Sequence, residues 1–226
     1  MEQLLSTKLY IPPLRSDLIS RPRLTDKLMA GSQSKLILVC APAGYGKTTL
    51  VAEWLEEIEY PVTWLSLEEG DNDPRRFLVY LIAALQQVDQ GIGRAAEAML
   101  RSPQPPPDEV LLTALVNEIA ALPEPFFLVL DDYHFIQTPS IHQQIAALLK
   151  HQPPQMHLIL ITRQDPLLPL ARLRARGQML EIRQEDLRFT PSETADFLKR
   201  VKSNGKGLSL FSKHKYSPRK HKLCPR

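Results

Sequence analysis

Lys35-Leu-Ile-Leu-Val-Cys40-Ala41-Pro42-Ala43-Gly44-Tyr45-Gly46-Lys47-Thr48-Thr49 decides the fold. Its first six residues form a continuous apolar run opened by a lysine, the pattern of a strand buried on both faces of a parallel sheet. Of the next nine, Ala41 to Thr48 match the eight positions of G-x-x-x-x-G-K-[ST] except the first, where Ala41 stands for glycine. From Lys47 onward Leu50, Val51, Trp54, Leu55 and Ile58 recur at helical spacing, so the order is strand, loop, helix. In that setting consecutive backbone N–H groups and the following helix N-terminus form an anion-binding concavity. Gly44 and Gly46 permit the curvature, Lys47 would reach the β- and γ-phosphates of ATP, and the Thr48 hydroxyl would bind Mg²⁺. Ala41 is tolerable if its φ is negative. The competing reading is a glycine-rich turn that merely starts a helix, and the flanking strand and helix argue against it.

The rest of the chain repeats the alternation. Outward from the loop, strands are expected at Pro61–Leu67, Phe126–Leu130, His157–Thr162 and Met179–Leu187. Helices are expected at Arg23–Ala30, Lys47–Glu59, Pro74–Val88 with Asp73 as N-cap, Asp108–Leu122 and Ser140–His151. Alternation of this kind implies an α/β fold, a mostly parallel sheet with helices on both faces. Thr190-Pro-Ser-Glu193 is a capping box that opens one more helix. The organisation expected is a lead-in at 1–34, a nucleotide-binding P-loop domain at 35–189, the first helix of a helical domain at 190–202, and a basic disordered tail at 203–226.

At 226 residues and 43% apolar, 23% charged composition, the chain has the makings of one good-sized globular core. The net charge of +3 hides an asymmetry. Residues 1–198 hold 18 basic against 25 acidic groups, a net of −7, whereas the last 28 residues hold ten basic groups and no acid. A nucleic-acid role would therefore rest on the tail alone, and its aromatics, Phe211 and Tyr216, are too few for a stacking platform. No apolar run reaches membrane-spanning length and no signal peptide is evident, so a cytoplasmic location is expected. Two cysteines, Cys40 and Cys224, make neither a disulfide framework nor a metal set.

Two further positions carry candidate chemistry. Asp131 and Asp132 end the apolar run Phe126–Leu130, which is expected to lie beside the P-loop strand. There Asp131 would hold Mg²⁺ and Asp132 would polarise an attacking water. Alone, two such acids would more often be a cap or a solvated turn. Arg163, at the end of His157–Thr162, would sense the γ-phosphate, with pairing to Asp165 at nearly equal weight. Arg172, Arg174 and Arg176 read as solvated helix charges. His134, His142, His151 and His157 share no ligand spacing and read as surface or satisfied core histidines.

Residues 1 to about 200 resemble the amino-terminal ATPase module of MalT-like transcriptional regulators of LuxR type, within the STAND class of signal-transducing P-loop ATPases. The resemblance rests on Thr7-Lys8-Leu9 with Pro12-Pro13, Arg21-Pro22-Arg23-Leu24, Ala41 to Thr49, Asp71-Asn72-Asp73-Pro74 with Phe77, Leu130-Asp131-Asp132-Tyr133-His134, Thr162-Arg163, and Leu187-Arg188-Phe189-Thr190. Alanine at the first loop position is common in that family. The resemblance implies an ATP-dependent switch with slow hydrolysis, an inducer and self-association in the full-length family, and Arg21 and Arg23 in the segment bordering the adenine. The family continues with helical, winged-helix, sensor and DNA-binding domains, so no direct DNA contact is expected of this chain. Loss of the pattern near Val201 leads us to expect a premature end or frameshift, in which case the chain is a non-functional truncated fragment or a weak binder. The other alternative is a free-standing AAA-type ATPase, which would want a glutamate after the second aspartate where this chain has Tyr133 and His134.

Overall fold

The computed structural model describes residues 4–14 and 18–203, with side chains described up to residue 199. The chain divides into two compact units, Met1–Arg15 with Arg21–Arg188, and Ser16–Ser20 with Phe189–Arg226. The expected basic tail from 204 onward, with Cys224, lies outside the described residues.

In the larger unit, a 3₁₀ turn at Ser6–Leu9 and helix α1 (Pro22–Ala30) precede strand β1 (Leu36–Cys40), which runs through the loop into α2 (Lys47–Glu56). Then come β2 (Val62–Ser66), a 3₁₀ turn at Glu69–Asn72, α3 (Pro74–Leu85), α4 (Arg94–Leu100), α5 (Asp108–Ala120) and β3 (Phe126–Asp131). A short 3₁₀ turn, Tyr133–Phe135, leads to α6 (Pro139–His151), β4 (Met156–Thr162), α7 (Leu170–Ala175), β5 (Met179–Arg183) and α8 (Gln184–Leu187). In the second unit, α9 (Pro191–Ser203) starts at the anticipated capping box. There the Thr190 N–H donates to Glu193 Oε2 at 2.7 Å and the Glu193 N–H to Thr190 Oγ1 at 3.2 Å.

The five strands are all parallel, in the order β2-β3-β4-β1-β5. This corrects one expectation: β3, with its carboxylates, is not beside β1. Strand β4 lies between them, Cys40 standing opposite Thr162 and Leu130 opposite Leu160. Sequence periodicity specifies a buried strand, not its neighbour, so adjacency was not legible.

Strand geometry sends alternate side chains to opposite faces. Leu36, Leu38, Leu128, Leu130, Leu158 and Leu160 pack with residues of α3, α5, α6 and α7, while Ile37, Val39, Trp64, Val129, Ile159 and Ile161 pack with α1 and α2. The connection leaving β1 thus crosses on one face and the later ones on the other. A crevice opens at the carboxyl ends of such strands, where crossovers part to opposite faces.

Other differences are local. The final strand stops at Arg183, because Asp186 accepts the Arg183 N–H at 2.8 Å and starts the turn of α8. The expected strand to Leu187 is therefore a strand plus a helical turn. Helix α4 was not anticipated; at seven residues it is too short for a periodic signal. Helix α7 carries Arg172 and Arg174, read from the sequence as helix charges. The Asp73 cap is as expected, its Oδ1 accepting the Arg76 N–H at 2.7 Å.

Candidate functional site

The phosphate-loop geometry follows from two glycines. Gly44 and Gly46 take φ of 84° and 71°, the left-handed region that side chains with a Cβ avoid. Ala41 does not share it: Asp132 is the one non-glycine of positive φ among the described residues, so alanine fits the entry position. Ala41 is buried, its N–H donating to the Thr162 carbonyl at 3.3 Å, which pins the loop to β4. Pro42 closes the loop from the other side, its carbonyl accepting from Lys47 Nζ at 3.0 Å. Tyr45 accepts at its hydroxyl from Gln184 Nε2 at 3.0 Å.

Helix α2 begins at Gly46 with no side-chain cap. Among the described residues, none accepts a hydrogen bond from the N–H groups of residues 44 to 48. A helix start without partners calls for a ligand or water, and Ala43, Gly44 and Thr49 complete the concave run around it. A Cβ built on Gly44 or Gly46 would meet nothing within 4 Å, so the glycines face open space.

The carboxylates enter from β3. Thr48 Oγ1 donates to Asp131 at 3.0 Å to Oδ2 and 3.3 Å to Oδ1, and the Asp132 N–H donates to Asp131 Oδ1 at 2.8 Å. Burial, with the neighbouring Asp132 charge, nonetheless raises the Asp131 pKa to about 6. Two hard oxygens held together, one of them short of counter-charge, suit a small divalent cation. No group of three or more His, Cys, Asp or Glu among the described residues could cage a metal, so Mg²⁺ here would depend on phosphate oxygens as further ligands.

Asp132 sits at φ 53°, a strained position for a non-glycine residue. Arg163, just beyond β4, is exposed and has no hydrogen-bond or ion-pair partner among the described residues. Asp165, the alternative partner, is taken by Arg183. The Arg163 charge is near enough to the loop that, after burial, it is the main influence lowering the Lys47 pKa. Arg21 and Arg23 behave differently: both guanidiniums donate to the Arg188 carbonyl, at 2.9 and 2.8 Å. The structure thus gathers residues 41–49, Asp131, Asp132 and Arg163 at one end of the sheet and seats Arg21 and Arg23 on the chain after α8.

One residue here was misjudged from sequence. His142 and His157 are satisfied, by Tyr133 Oη at 3.0 Å and the Ser34 carbonyl at 3.1 Å. His134 is not: its ring is largely buried and neither nitrogen has a hydrogen-bond partner. A lone histidine carries no sequence signal that separates these cases.

A five-stranded parallel sheet carrying this loop, with an arginine at the end of the adjacent strand β4 and carboxylates at the end of β3 beyond it, defines a P-loop nucleoside-triphosphatase fold. The AAA ATPase domain family matches residues 22–161, more than half of the chain, and the chain belongs to that family. It is 42% identical over 194 residues to the HTH-type transcriptional regulator MalT of Cronobacter sakazakii, and 41% identical over 194 residues to that of Klebsiella pneumoniae. These alignments span 86% of this chain and 21% of each relative, so the chain covers about a fifth of their length. Among solved structures, a STAND protein with a tetratricopeptide repeat sensor from Pyrococcus horikoshii superposes with a TM-score of 0.55 at 12% identity, over 88% of this chain and 27% of that one. Cdc6p from Pyrobaculum aerophilum gives 0.52 at 15% identity, over 86% and 52%. Both likenesses concern the fold. Among the described residues no helix is long and apolar enough to cross a membrane.

Proposed function

We propose that this chain is an ATP- and Mg²⁺-binding switch module of a MalT-like transcriptional regulator. The observation that carries the reading is the Thr48 hydroxyl on the Asp131 carboxylate at 3.0 Å, beside a loop in which the N–H groups of residues 44 to 48 have no acceptor among the described residues. Residues 41–49 would wrap the phosphates, with Lys47 leaving Pro42 for the β- and γ-phosphates. Thr48 and Asp131 would hold Mg²⁺, which neutralises phosphate charge when bound. Asp132 would polarise the attacking water, and the unpaired Arg163 would respond to the γ-phosphate. Arg21 and Arg23 would border the adenine from the lead-in segment, on the strength of the family resemblance.

Slow hydrolysis suits such a switch, because it acts through differential affinity of ATP and ADP for two conformations rather than through flux. By the same analogy with the relatives, an inducer, self-association and a cytoplasmic setting belong to the whole regulator. Residues 35–189 would be its nucleotide domain and 190–202 the first helix of the next.

The test is titration of the full chain with a fluorescent ATP analogue, with and without Mg²⁺, for wild type and Lys47→Ala. Saturable, Mg²⁺-dependent binding that Lys47→Ala abolishes while keeping wild-type circular dichroism is the expected result. Absence of binding in the wild type refutes the proposal.

A further inference from the structure

His134 occupies a costly position. Its side chain is 12% exposed, its ring stacks on Phe135 with centroids 4.4 Å apart, and both ring nitrogens are shut from solvent without a hydrogen-bond partner. Buried polar atoms are rarely left so, and one that is needs an explanation. The Asp132 carboxylate is close by, its Oδ1 3.6 Å from His134 Nδ1, just too far for a hydrogen bond.

The turn that carries both residues is held firmly. Asn72, more than sixty residues away in sequence, donates from Nδ2 to the Phe135 carbonyl at 2.6 Å and accepts the Gln137 N–H at 2.7 Å. Thr138 Oγ1 donates to the Asn72 carbonyl at 2.7 Å, and the Phe135 N–H donates to the Asp132 carbonyl at 3.0 Å. Strained backbone and unpaired side chains persist only where surroundings over-determine them, and this clamp does so for Asp132 at φ 53° and for His134. Burial, then the Arg163 charge, lowers the His134 pKa, which keeps the ring neutral near pH 7 with one nitrogen as donor and the other as acceptor.

We propose that His134 is the positioning residue of Asp132: when ATP and Mg²⁺ are bound, the 3.6 Å gap closes and the imidazole Nδ1–H donates to the Asp132 carboxylate, fixing it toward the attacking water. Hydrogen bonds of this kind are commonly long in the free protein and tighten in the loaded site. A dry imidazole suits the task, since no water competes for the carboxylate from that side. The inference rests on the nucleotide-binding reading above.

The experiment follows the ¹⁵N resonances of the His134 ring in the full chain, titrated with a non-hydrolysable ATP analogue plus Mg²⁺ and, separately, ADP plus Mg²⁺. The Nδ1 resonance is expected to move with the analogue and not with ADP. In parallel, His134→Phe, which keeps the stack on Phe135, and His134→Asn, whose amide places a donor near the Nδ1 position, are assayed for analogue affinity and ATP turnover. The expected pattern is turnover about tenfold lower in the Phe variant, with affinity changed less than about twofold, and recovery to within about threefold of wild type in the Asn variant. Wild-type analogue binding with a still Nδ1 resonance, or with a Phe variant that turns over as wild type, overturns this inference alone. Failure of the wild type to bind the analogue overturns both readings.

Discussion

Asp131→Asn separates what the site costs the fold from what it would do for nucleotide. The carboxyl is buried against Asp132, and its pKa rises from 3.8 to about 6. The folded protein therefore keeps this proton to a higher pH than the unfolded chain, and between about pH 4 and 6 stability falls as pH rises. At 1.36 kcal/mol per pH unit the loss is about 3 kcal/mol at pH 7.5 and about 1 kcal/mol at pH 4.5. Asparagine keeps the Oδ1 that accepts from the Asp132 N–H and the Thr48 hydroxyl, which now meet Asp131 Oδ1 at 2.8 and 3.3 Å, and it never ionises. Urea unfolding of the apo chain should find Asp131→Asn more stable than wild type by up to about 3 kcal/mol at pH 7.5 and by only about 1 kcal/mol at pH 4.5. With Mg²⁺ and ATP at about a hundred times the dissociation constant, wild type should gain about 2.7 kcal/mol and the variant little, narrowing the difference. A variant no more stable than wild type at pH 7.5, or a difference that does not vary with pH, refutes the reasoning.

Two further outcomes follow from residues away from the carboxylates. Lys8→Met strips the buried Asp71, 0% exposed, of its Lys8 partner and leaves Arg76 Nε at 3.3 Å as the remaining strong cation; chemical denaturation should show a loss of about 3 kcal/mol, and a loss below about 1 kcal/mol would mean Arg76 compensates. Gly46→Ala adds a Cβ that meets nothing within 4 Å at φ 71°. Its cost is then backbone strain alone, about 1 to 2 kcal/mol by thermal unfolding, with the near-ultraviolet spectrum of Trp54 and Trp64 unchanged; a changed spectrum would show that packing had moved.

The site was legible wherever the chemistry is carried by neighbours in sequence. The loop, its two glycines and Lys47-Thr48 occupy nine consecutive positions, 41 to 49, and the apolar run of β3 delivers Asp131 and Asp132 directly. Arg163 was legible only as a strand-end arginine; that Asp165 pairs with Arg183 rather than with it depends on β5. His134 looked like any lone histidine, because the absence of partners is a property of its surroundings and not of its own stretch of chain.

By itself the sequence determined the things that local physics controls. Apolar runs made buried parallel strands, Asp73 and Thr190 capped helices, and glycines supplied the positive φ at 44 and 46 that the loop requires. Tertiary structure alone decided the sheet order that inserts β4 between β1 and β3, the Asn72 clamp on the 133–138 turn, and the burial of Lys8 on Asp71. Those depend on which faces meet once the apolar surfaces are covered. Side chains sixty residues apart become partners through packing, and no periodicity within either segment records it.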